Sequence, residues 1–259
     1  QYLTLKNVPL QSHPLPILAQ LKEINIEGNT LLSWGLSTLI FSLQLYASSN
    51  AERLRVNLLT PFDRVFIEQL PYQLSESLCR CFTCLSGDSL WSLTDDAQFF
   101  KPLTTFLSLT SLKLLMSTRS ITTAFSFLAQ LPQLVQLSLK IYWSTSSQEE
   151  LPPSPSPRDQ LRSVKWLHLS LILTFHSQLH WLNLPVTVPN VQEISLDLLS
   201  CEICNYSCTG PVFSSSSRRC LRTHLRLLMD LTGTPSHRIA CFDNEDQQIS
   251  AEELLTEEQ

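Results

Sequence analysis

An apolar triad of the form L-x-x-L-x-L returns along this chain every 25 to 30 residues. That recurrence constrains the fold more than any other feature. The fullest copy is LKEINIEGNTL, residues 21–31, with Leu21, Ile24, Ile26 and Leu31 at the apolar positions and Asn29 between the last two. The core returns at Leu109-Leu112-Leu114, Leu134-Leu137-Leu139, Val164-Leu167-Leu169 and Val191-Ile194-Leu196. Weaker copies are read at Ala51-Leu54-Val56 and Cys79-Phe82-Cys84. The fourth residue of the core thus falls at 24, 54, 82, 112, 137, 167 and 194. Most copies also carry an apolar residue three places earlier: Leu18, Phe106, Leu131, Leu161 and Val188.

The two apolar residues of each L-x-L point to one face of a short strand, because side chains alternate along an extended chain. Between the strands lie stretches with helical spacing. Ile121 to Leu131 has apolar residues at 121, 124, 125, 128 and 131, and Asp95–Phe106 and Pro61–Leu70 read similarly. Asp95 and Asp96 sit where a helix start favours negative charge. A strand-turn-helix-turn unit of this length cannot bury its apolar face alone. It does so by stacking on the next unit.

Over roughly residues 3–200 the chain resembles the ribonuclease-inhibitor-like branch of leucine-rich-repeat proteins. The resemblance implies an α/β solenoid, with a parallel sheet on the concave side and helices on the convex side. The family's asparagine position is kept at Asn29 but is Leu59, Gly87, Ser117, Tyr142, Ile172 and Leu199 in later copies, so an irregular horseshoe is expected. A repeat domain of about seven to nine units is read over 1–242, with loop insertions at 146–159 and 201–217 and an acidic tail over 243–259. Irregular repeats of this kind are similar to those of F-box and other cullin-ligase substrate receptors, although no three-helix F-box segment is visible in the text. The chain begins at Gln1, and a preceding segment is expected.

Composition narrows the function. Glycine is scarce, five in 259 residues, and neither G-x-G-x-x-G nor G-x-x-x-x-G-K occurs, so phosphate-cradling loops are excluded. The net charge of −5 is concentrated in the tail, where Asp243–Gln259 holds seven acidic residues and no basic one. The remainder, with all 18 basic and 16 of the 23 acidic groups, comes to +2 and offers no strong field for nucleic acid. The most apolar window, residues 35–47, is too short to span a bilayer. Eight scattered cysteines point to a reduced, intracellular protein, cytoplasmic or nuclear.

No catalytic motif emerges, and no cofactor is called for. The expected role is a non-enzymatic scaffold that binds a protein, rather than a small molecule, on the concave sheet face. The residues flanking the buried L-x-L positions are the candidate contacts: Arg53, Arg55, Lys113, Lys140, Trp166, His168, Glu193 and Asp197. The alternative is a zinc module, because Cys201 and Cys204 stand as C-x-x-C and Cys220 and His224 as C-x-x-x-H. Three features oppose it. The gap between the pairs is 15 residues, the second pair is Cys-His rather than His-His, and Cys201 occupies an apolar repeat position. His176 and His180 have metal-ligand spacing but lack the glutamate of H-E-x-x-H, and read as a solvated helix face. The proline-rich QEELPPSPSPRD reads as an exposed loop in which Ser154 and Ser156 each precede proline, the context of proline-directed phosphorylation.

Overall fold

The computed structural model describes residues 2–6, 22–27, 43, 54–59, 76–87, 97–117, 121–142, 160–173, 188–201, 222, 225–226, 229–230, 235–242 and 248–256. The chain forms two compact units, the first Gln1–Leu115 with Gln130–Val135, the second Met116–Ala129 with Gln136–Gln259.

In the first unit, β1 (Tyr2–Lys6), β2 (Glu23–Glu27), β3 (Arg55–Leu58), β4 (Phe82–Gly87) and β5 (Ser111–Ser117, its last two residues counted with the second unit) lie side by side in chain order. Every described pairing among them is parallel. A short helix α1 (Glu76–Cys79) precedes β4, and a 3₁₀ helix (Ala97–Thr105) precedes β5. The spacing over Asp95–Phe106 suggested an α-helix. Pro102 lies inside this element, and a proline there cannot donate the main-chain hydrogen bond that a continuous α-helix needs.

In the second unit, α2 (Ile121–Leu128) follows β5. Strands β6 (Gln136–Tyr142), β7 (Trp166–Leu173), β8 (Glu193–Cys201) and β9 (Ile239–Phe242) then pair in parallel. Strand β10 (Gln248–Ile249) runs antiparallel to β9 and is followed by α3 (Ala251–Thr256), so the acidic tail carries regular structure. Ser250 caps α3 by accepting the Glu253 N–H at 3.3 Å, and Ala251 and Leu254 are buried. Arg222 Nε donates to the Leu254 carbonyl, satisfying one of the orphan acceptors at the end of this short helix.

The apolar residue three places before each core closes a tight turn. The N–H of Leu109 donates to the Phe106 carbonyl at 3.0 Å, that of Leu134 to Leu131 at 3.4 Å, that of Val164 to Leu161 at 3.3 Å and that of Val191 to Val188 at 3.3 Å. All eight residues except Val191 are buried. The next residue reaches back to the preceding repeat. Val135 N–H donates to the Thr110 carbonyl at 2.9 Å, and Gln192 N–H to Lys165 at 2.8 Å. One turn and one rung therefore recur with the sequence period, and each unit is an α/β solenoid in which successive strands stack.

The strong copies keep their expected phase. Leu137, Leu167 and Ile194 are in register and face inward. The two weak copies do not. Ile24 pairs with Val56 and Ile26 with Leu58, so the inward pair of β3 is Val56-Leu58 and not Leu54-Val56. A bulge between β3 and β4 then pairs Val56 with Phe82 but Leu58 with Leu85, and Leu85 continues onto Leu112. Phe82 and Leu85 are buried, while Thr83 and Cys84 between them are only half-buried. Cys84 is therefore not the inward core residue that the spacing suggested. The run Leu54-x-Val56-x-Leu58 fits two phases equally well, and the extra residue of the bulge is invisible to a periodic pattern.

Candidate partner-binding face

On the sheet face opposite the buried leucines, register sets which side chains meet. In the first unit Glu23 lies beside Arg55 and Asn25 beside Asn57, which pairs with Cys84 and through it with Ser111. The amide of Asn57 ties three strands together. Its Nδ2 donates to Asn25 Oδ1 at 2.7 Å and to Glu23 Oε1 at 3.1 Å, and its Oδ1 accepts the Thr83 hydroxyl at 2.7 Å. Lys6 and Glu27 form an exposed ion pair at 3.9 Å, which contributes little to stability. The Glu23 carboxylate is held by Asn57, and Arg55, its register neighbour, is exposed with no ion-pair partner among the described residues.

Truncating the ladder has a measurable expected cost. Asn57→Ala removes three hydrogen bonds in a half-buried setting and should lower stability by roughly 1–2 kcal/mol. Denaturant melts read this as a lower midpoint at unchanged slope. A shift smaller than a few tenths of a kcal/mol would mean that water replaces the ladder without cost.

In the second unit three rows run across the strands. Gln136, Trp166 and Glu193 form the first, Ser138, His168 and Ser195 the second, and Lys140, Ser170 and Asp197 the third. Gln136, Trp166 and Glu193 are exposed, Trp166 to 39%. His168 Nδ1 and Ser195 Oγ lie 2.9 Å apart, which fixes the imidazole in the second row. Lys140 is half-buried.

Six of the proposed contacts therefore have described side chains on this face: Arg55 and Lys113 in the first unit, Lys140, Trp166, His168 and Glu193 in the second. For Asp197 only the backbone position is described, in register with Ser170 and Phe242. Arg53 lies outside the described residues. Arg55 and Lys113 each stand between the two apolar residues of their L-x-L copies, which puts them at equivalent strand positions by sequence, but the register does not. Arg55 precedes Asn57, which shares a row with Ser111, whereas Lys113 follows Ser111 and pairs with Ser86. They stand four residues apart along the strand direction, roughly 13 Å. The amide ladder of Asn25, Asn57 and Thr83 was not anticipated from the sequence; the shifted phase of β3 hid it.

Of the zinc candidates, Cys201 ends β8, and Cys204, Cys220 and His224 lie outside the described residues, as do His176, His180, Ser154 and Ser156. No group of three or more potential metal ligands occurs among the described residues. Nor is any described helix long and apolar enough to cross a membrane.

Three thiols lie at the start of β4. Cys81 and Cys79 are buried and form no disulfide, and Cys84 is half-buried. Burial pushes the Cys81 thiol up from 9.0 to about 11, with the neighbouring Cys79 adding to the effect. Burial also raises Cys79 and Cys84, partly offset by hydrogen bonds with Thr105 and Ser111 respectively. These thiols are poor nucleophiles. An unfolded Cys81 ionises near 9.0 while the folded one stays protonated to about 11, so its contribution to stability is intact below pH 9 and is lost as pH rises through that window. The fall in stability between pH 9 and 11 should be shallower in Cys81→Ala than in the parent chain. Equal slopes would show that the thiol ionises alike in both states.

Compared with known protein families, the chain matches none, and no curated protein sequence matches it. Among solved structures, the leucine-rich repeat-containing protein LegL7 from Legionella pneumophila is similar over 100% of this chain and 91% of its own, with a TM-score of 0.50 and 16% identity. At that identity the likeness concerns the path of the backbone and not the side chains of any site. Together with the stacked parallel strands it shows an α/β leucine-rich-repeat solenoid.

Proposed function

We propose that this chain is a non-enzymatic protein-binding scaffold whose contact surface is the polar face of its parallel strands. One observation carries the reading: Trp166, a large aromatic side chain, stands exposed on that face between Gln136 and Glu193. Exposed tryptophan and arginine are the residue types that dominate binding energy at protein interfaces. Arg55, exposed and without an ion-pair partner among the described residues, adds support in the first unit. An intracellular setting, in which the thiols of Cys79 and Cys81 stay reduced, belongs to the same proposal. Within it, the irregular repeat text favours a substrate-recognition role in a ubiquitin ligase, a role that co-purification of cullin-complex subunits would test.

Site-specific photocrosslinking tests the surface. A crosslinking amino acid is placed at Arg55, Lys140 or Gln136 on the strand face, and at Lys101 or Thr104 on the crossover before β5. The face positions should capture a common protein, and Trp166→Ala should weaken binding of that protein about tenfold, or about 1.4 kcal/mol. Capture from the crossover positions alone would move recognition off the strands and end this reading.

A further inference from the structure

We infer that Trp166 and Glu193 together receive a cationic side chain, an arginine or lysine presented by an extended segment of the protein partner. The inference rests on the scaffold reading and specifies what part of its face recognises. Trp166 on β7 and Glu193 on β8 are direct register partners, both exposed and both on the polar face. Neighbouring strands are about 4.8 Å apart, so the two residues stand side by side on that face. The ring face is electron-rich and attracts a cation, most strongly for tryptophan. A guanidinium over the ring would meet the carboxylate at its edge, and both groups would hold the same charge. Among the described residues neither side chain has a hydrogen-bond or ion-pair partner.

Two cations lie near the pair. Lys165 immediately precedes Trp166, and Arg238 precedes Ile239, the register partner of Ile194, so Arg238 adjoins Glu193 on the side away from Trp166. No ion pair joins Arg238 to Glu193. Lys140 is one strand over and four residues along, roughly 13 Å away, beyond a Debye length at physiological salt. An anionic partner would face Glu193 directly and gain nothing from the ring. Row geometry therefore favours a cation over the pull of Lys165 and Arg238.

Indole N–H signals of the full chain, labelled with nitrogen-15 at its five tryptophans, provide the readout. Trp166→Phe identifies the Trp166 signal. Tetra-arginine and tetraglutamate peptides are then titrated at low salt. Tetra-arginine should shift the Trp166 signal saturably, Glu193→Gln should weaken that binding roughly two- to fivefold, and tetraglutamate should leave the signal in place. Thermal melts confirm that both variants fold. A shift caused by tetraglutamate would hand the preference to Lys165 and Arg238 and overturn the inference. So would no shift with tetra-arginine, or an affinity indifferent to Glu193→Gln. Crosslinking from the face positions is independent of these titrations, so loss of the cation site leaves the scaffold reading to be judged separately.

Discussion

Phe106→Ala is expected to destabilise the protein by roughly 3–5 kcal/mol, the cost of emptying a large core site that cannot collapse fully. Phe106 is fully buried, and its ring meets that of Phe82 edge-on, 5.3 Å between centroids and 76° between planes. It also sits in the recurring turn, donating to the Leu103 carbonyl at 3.1 Å and accepting from Leu109 at 3.0 Å. Truncation keeps those main-chain bonds but removes the ring that packs the turn against β4. The edge-to-face pair should appear in a double-mutant cycle with Phe82→Ala as a coupling of about 0.5–1.5 kcal/mol. A loss below about 1 kcal/mol for Phe106→Ala alone would place the ring outside the cooperative core.

Leu137→Ala should cost roughly 2–5 kcal/mol. Leu137 is 1% exposed at the inward position of β6, in register with Leu167, which in turn pairs with Ile194. A repeat is stabilised chiefly by its interfaces with its neighbours, so a cavity at this position weakens the stack on which the second unit depends. Denaturant melts followed by circular dichroism give the measurement. A change under about half a kcal/mol, the range of an ordinary surface substitution, would mean that Leu137 does not face the core.

How legible the molecule was varies along the chain. In β6, β7 and β8 the apolar triads carry leucine, isoleucine or valine at every core position, and the spacing alone predicts which residues share a row. That spacing puts Trp166, His168 and Glu193 on the polar face, where they are exposed or half-buried. In β3 and β4 the spacing points to the wrong core pair. Leu54, Val56 and Leu58 alternate without a break and are all buried, so hydrophobicity cannot say which two are the core pair. The C-terminal segment reads from its charge only as an acidic tail, and it is the Ser250 cap and the burial of Ala251 and Leu254 that make part of it a seated helix.

The candidate site divides in the same way. Sequence alone determined the repeat, its parallel strands, the helical crossover at Ile121–Leu128, and the identity of the inward leucines wherever the copies were strong. These follow from alternation and period, which are local properties of the chain. Tertiary structure alone decided the register across the bulge between β3 and β4. With it came the Asn25–Asn57–Thr83 ladder, the separation of Arg55 from Lys113, and the adjacency of Trp166 and Glu193 as an actual pair of exposed side chains. Register is a relation between residues some 25 to 35 places apart, set by which backbone groups bond and which side chains fill the space between strands. A sliding strand keeps its own pattern while its neighbours change, so no reading of one repeat at a time can supply it.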